Sequence, residues 1–167
     1  MGVNIIRTDS VRELGLKRLG ITPPSDWGDV EQVRSAKLQE ISLACSAAIY
    51  AGIEVGGARY SLTEHDQTEI MAQYAAVKEG AAAVPYHADG ELCRMYPAEE
   101  FASLAQAATA HVFYHRTYCN HLNVWIRRAG LEELAGITYG AALPEDLAAS
   151  MTAIMAAAGG DLEHGDS

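Results

Sequence analysis

The sequence predicts an α+β fold, mostly helical, in the order helix, hairpin, helix, hairpin, long helix, tail helix. Three observations predict it. The stretch from Pro97 to Arg128 has no Gly and no Pro after its first residue, and as one helix it would be about 48 Å long. Two turn signals, Gly56-Gly57 and Asp89-Gly90, each lie between short runs of strand-forming residues. Elsewhere the apolar residues recur at helical spacing.

At the N-terminus, Ser10 followed by Glu13 has the spacing of a capping box, and Val11, Leu14 and Leu19 follow at roughly helical intervals. Gly15 and Gly20 limit this to a short helix. Ile21 to Gly28 (ITPPSDWG) reads as a turn-rich connector, extended around Pro23 and Pro24. Residues 1–28 are therefore expected to form an arm, with Trp27 as its anchor and a candidate interface residue.

From Asp29, a candidate N-cap, an amphipathic helix carries Val30, Val33, Leu38, Ile41, Cys45, Ala48 and Ile49 on one side and stops at Gly52. Ile53–Val55 and Ala58–Leu62 then form the first hairpin. Thr63 caps the next helix, with Ile70, Met71, Tyr74 and Val77 inward and Gly80 at its end. Val84–His87 and Glu91–Tyr96 flank the Asp-Gly turn as the second hairpin, and Pro85 assigns its strand to an edge. The two hairpins are open to joining in one small antiparallel sheet.

The long helix starts with Pro97, Glu99 and Glu100 and ends with Arg127 and Arg128, which matches the helix dipole at both ends. At 100° per residue, Phe101, Leu104, Ala108, His111, Tyr114, His115, Tyr118, Cys119, Leu122, Trp125 and Ile126 share a core-facing arc. Phe113 and Val124 lie on the polar side, where an apolar pair suits a second contact surface, another subunit for example. Ile137–Tyr139 follows as a short strand or extended crossing. A last helix runs from Pro144 to Ala158, with Leu147, Met151, Ile154 and Met155 inward. The single domain thus spans 29–158, and the acidic tail 159–167 is expected to be disordered.

Composition sets outer limits. A chain of 167 residues, 49% hydrophobic and 20% charged, suffices for one globular domain with a sizeable core. Its net charge of −10 argues against nucleic acid or an anionic membrane as partner, since both require a basic surface. Three widely spaced cysteines, Cys45, Cys93 and Cys119, suggest a reducing compartment, not a disulfide framework.

Four segments, KLQEISLACSAAIYAGIEV, RYSLTEHDQTEIMA, GAAAVPYHADGELCRMY and AATAHVFYHRTYCNHLNVWI, resemble a family of uncharacterised domains encoded among tail and tail-fibre genes of phages and prophages. The resemblance covers roughly residues 34–127 and centres on SLTEHDQ, PYHADGE and the Tyr-Cys-Asn segment of the long helix. It implies a place, a phage tail or tail-like particle, and no established activity. Pro97 departs from the family pattern, where a Ser-type cap is usual.

Several groups of residues have a spacing that chemistry could use. His111, His115 and Cys119 recur at successive turns, as helix-borne zinc ligands do, but Val112 occupies the place of a metalloprotease glutamate. The competing reading, which is preferred, is buried neutral imidazoles held by hydrogen bonds near Tyr114 and Tyr118. His87, Asp89, Glu91 and Cys93 cluster at a turn that already explains Asp89, with no oxyanion donor or orienting group in view. Glu64, Asp66 and Glu69 sit where capping and the dipole want acids. Gly56-Gly57 lacks the Lys-Ser/Thr of a phosphate loop. No catalytic, cofactor-binding or metal-ligating residue is assigned, and no cofactor is expected.

The functional expectation is a non-enzymatic structural protein of a phage tail or tail-like particle, in the baseplate or tail-fibre region. It would act by contact with other tail, baseplate or fibre proteins, as a homo-oligomer, in the virion after assembly in the bacterial cytoplasm. The alternatives are a tail-fibre assembly chaperone absent from the finished particle and, third, a metal-dependent enzyme using His111 and His115.

Overall fold

The computed structural model describes the backbone over residues 3–163 and side chains over residues 9–159. The fold is mostly helical α+β: α1 (Val3–Arg18), α2 (Val30–Tyr50), β1 (Ile53–Val55), β2 (Ala58–Tyr60), α3 (Glu64–Lys78), β3 (Ala83–Tyr86), β4 (Arg94–Pro97), α4 (Ala98–Arg128), α5 (Leu131–Leu134) and α6 (Glu145–Glu163). It divides into two compact units where the sequence suggests one domain over 29–158. One comprises the residues up to Cys45 with those from Thr117 onward, and the other is Ser46–Arg116.

In the Ser46–Arg116 unit, β1 and β2 pair antiparallel with Ile53 opposite Tyr60 and Val55 opposite Ala58. Gly56 and Gly57 both have positive φ (60° and 79°), the backbone that a two-residue turn of matching twist demands. Gly52 is required more strictly still. Its φ is +78°, and a Cβ there would lie 2.0 Å from the Tyr60 carbonyl oxygen.

The second ladder pairs Ala83 with Pro97 and Tyr86 with Arg94, so residues 87–93 form a loop wider than the expected three-residue turn. Of the two arrangements left open, the structure has the hairpins unjoined, as two separate two-stranded sheets. Asp89 joins them instead. Its N–H donates to the Arg59 carbonyl (2.8 Å), and its carboxylate accepts from the Ser61 N–H (3.0 Å) and hydroxyl (2.6 Å). Strands of three and four residues leave little backbone for a further ladder, and Pro85 has no N–H to offer one.

The core of this unit is aromatic. Phe101, at the start of α4, meets Tyr86 and Tyr96 edge-on at 5.5 and 6.1 Å, and Tyr60 stacks on Tyr86 at 6.3 Å. All four rings are buried, and the Tyr60 and Tyr96 hydroxyls bond each other at 3.1 Å. Burial, above all, holds the Tyr60 and Tyr86 phenols protonated well beyond the usual range. Arg94 lies over the Tyr96 ring at 3.6 Å and pairs with Glu100, which closes the outer side. Burying each ring contributes about 1.5–3 kcal/mol.

The other unit corrects several expectations. α1 begins at Val3, so Ser10 is mid-helix and not a cap, and the helix passes through Gly15. One helical glycine costs only about 1 kcal/mol, too little to break it. The helix closes where the Gly20 N–H bonds to the Lys17 carbonyl and the Ile21 N–H to the Leu16 carbonyl, bringing Ile21 onto Leu16. Leu16, Ile21 and Ala36 form a small buried cluster with Trp27 against it. Ile137–Tyr139 forms no strand: Ile137 and Thr138 have no regular backbone structure and a turn begins at Tyr139. Ile137 is fully buried, and the Tyr118 hydroxyl donates to the Ala141 carbonyl (2.6 Å) and accepts from the Gly140 N–H (3.0 Å). α6 continues past Ala158 to Glu163, so part of the expected disordered tail is helical, and residues 164–167 lie outside the described residues.

Candidate interaction surfaces

The residues whose types suggested chemistry are placed as follows. The His111 Nε2–H donates to the Ala48 carbonyl (3.1 Å), which ties the ring to α2, and the His115 ring lies edge-on to it at 4.5 Å. Burial, then the neighbouring His111, lowers the His115 pKa below the usual imidazole value. Cys119 is buried beside Cys45, and burial first, then the Cys45 thiol, pushes its pKa up to about 12. Among the described residues no three His, Cys, Asp or Glu side chains come together as metal ligands. Tyr114, placed in the core-facing arc by periodicity, is 45% exposed.

Of the acidic residues of α3, Asp66 closes the capping box at its N-terminus. Asp66 accepts from the Thr63 N–H (2.9 Å) and hydroxyl (2.7 Å), and Glu64 accepts from the Tyr50 hydroxyl (3.3 Å). In the loop 87–93, Asp89 binds Ser61, while Cys93 is exposed and Leu92 stands 91% exposed. His121, which the periodicity analysis does not single out, is a buried polar side chain: Nδ1–H donates to the Thr117 carbonyl (2.8 Å), and Nε2 accepts from the Ser150 hydroxyl (3.1 Å). Its signal was weak because i, i−4 bonding to a carbonyl leaves no trace in hydropathy.

Among the described residues, three apolar surfaces bear on contact with other proteins. Phe113 is half-buried and lines a groove of about 290 Å³ with Ile70, Met71 and Val112, between α3 and α4. Val124, in the other unit, is 42% exposed. The largest is a cleft of about 680 Å³ between α1, α2 and α5. Leu16, Trp27, Val33 and Leu134 give it an apolar lining. Asp9, Arg12, Lys37, Glu40 and Glu132 also line it, with Lys37 and Glu40 paired at 2.8 Å. Trp27 is thus an anchor for the chain after α1 and also a wall of this cleft.

Among the described residues, no helix is long and apolar enough to cross a membrane. No curated protein and no solved structure matches the chain. A family described as a domain of unknown function, DUF4376, matches residues 32–139. The match takes in both hairpins and all of α3, α4 and α5, and leaves α1 and α6 outside. Since it covers more than half of the sequence, the chain belongs to the DUF4376 family.

Proposed function

We propose that this protein is a non-enzymatic structural part of a phage tail or phage-derived tail-like particle, in the baseplate or tail-fibre region, acting by contact with other proteins. The observation that carries the contact role is the α1–α2–α5 cleft of about 680 Å³, with Leu16, Trp27, Val33 and Leu134 in its lining, together with Val11, Leu14 and Leu19 on and just after α1, which are 71%, 51% and 51% exposed. Exposed apolar side chains gathered in one region are costly in water and mark protein contact sites. The particle assignment rests on the resemblance of residues 34–127 to domains encoded among tail genes. The bonding of His111 to Ala48 and of Asp89 to Ser61 supports a scaffolding part for those residues.

Mass spectrometry of purified particles tests the reading. A stoichiometric presence is the expected result. Absence from the finished particle, with association to tail fibres during assembly, would favour a chaperone, and absence from both sinks the proposal.

A further inference from the structure

We infer that Cys45 of α2 and Cys119 of α4 form a two-thiolate site for a soft monovalent metal ion, Cu(I), a role separate from the contact surfaces described above. The two side chains are hydrogen-bonded to each other, and the residues are 8% and 9% exposed. Helix packing brings them together. Arg34, nearer the start of α2, donates from Nε to the Ile126 carbonyl (3.2 Å) and from Nη2 to the Ala129 carbonyl (3.0 Å) at the end of α4. That bonding sets the two helices antiparallel, so the later turns of α2 meet the middle of α4, where Cys119 lies.

The number of ligands selects the ion. Among the described residues no third His, Cys, Asp or Glu joins the pair, and His115, one turn before Cys119, lies against His111. Zn²⁺ and iron–sulfur clusters need a fuller set of protein ligands, completed in zinc enzymes by water. Ile41, one turn before Cys45, and Leu122, beside Cys119 on its face of α4, are buried and apolar, so the surroundings supply neither. Cu(I) is a closed-shell ion that thiolates select, and it is satisfied by a pair of sulfurs in line. Each thiol releases its proton to solvent as the ion binds, and no electron is transferred. A reducing compartment, which the cysteine content suggests, keeps copper in that state.

Anaerobic titration with Cu(I), in competition with a chromophoric Cu(I) chelator, tests this on full-length C93S protein, in which the exposed thiol is removed. Circular dichroism confirms that each variant is folded. C93S is expected to take one ion per chain from the chelator, with the near-ultraviolet absorption of a copper–thiolate bond and a raised thermal midpoint. C45S/C93S and C119S/C93S should bind at least about a hundredfold more weakly, and an equal concentration of Zn²⁺ should not displace the ion. X-ray absorption at the copper edge of C93S should show a pair of sulfur ligands, a measurement that stands even where the serine variants do not fold. A C93S protein that leaves the ion with the chelator, equal retention by the variants with one thiol of the pair, displacement by Zn²⁺, or nitrogen ligation overturns the inference.

Discussion

The aromatic core of the hairpin unit and the α1 cleft are packed in opposite ways. At the hairpins, Tyr60, Tyr86, Tyr96 and Phe101 are each at most 5% exposed and meet ring on ring. At α1, a small cluster of Leu16, Ile21 and Ala36 holds the helix, and Val11, Leu14 and Leu19 stay in water. Few buried contacts mean a low free energy of local opening, so α1 should exchange its amides well before the hairpins do.

The largest effect that sharpens this contrast is truncation. F101A removes a fully buried ring and should cost about 3–5 kcal/mol in urea unfolding, whereas L19A at the cleft should stay within about 0.5 kcal/mol of wild type. Similar losses for the two would erase the distinction. Next comes G52A, which places a side chain in a left-handed backbone and against the Tyr60 carbonyl. A loss of about 3 kcal/mol is expected, and a neutral result would mean that the first hairpin is held elsewhere.

The smallest effect is acid sensitivity. The folded pKa of His115 is lowered, so its contribution to stability is complete above the unfolded imidazole value of about 6.5 and is lost as pH falls through the folded value. The urea midpoint should therefore drop below pH 6.5 in the wild type and drop less in H115Q. Parallel pH curves for the two proteins would remove His115 as the cause.

Much of the fold was legible in local sequence. Thr63 with Asp66, the Gly56-Gly57 turn, the break-free run to Arg128 and Gly20 each act through a few neighbouring residues, and each stands where its chemistry places it. The start of α1 was missed because Ser10 has cap chemistry that an interior helix position can also hold. Tyr114 was misplaced because periodicity names a face without saying how far a neighbour reaches along it. Of the candidate surfaces, Phe113 and Val124 were visible as apolar residues on a polar face and Trp27 as the anchor of a turn-rich connector, but the cleft beside Trp27 was not.

The sequence alone determined the mostly helical α+β class, the order of its main helices and hairpins, and the acidic, poorly basic surface, because propensity, turn chemistry and charge are properties of short stretches. Only the tertiary structure decided that the hairpins remain separate sheets joined by Asp89, that Phe101 closes a ring of tyrosines, that His121 is bonded and buried, and that α1 leaves Val11 and Leu14 in water. Those outcomes depend on which distant residues arrive at one place. Packing and burial settle that for the chain as a whole, and no window of sequence contains it.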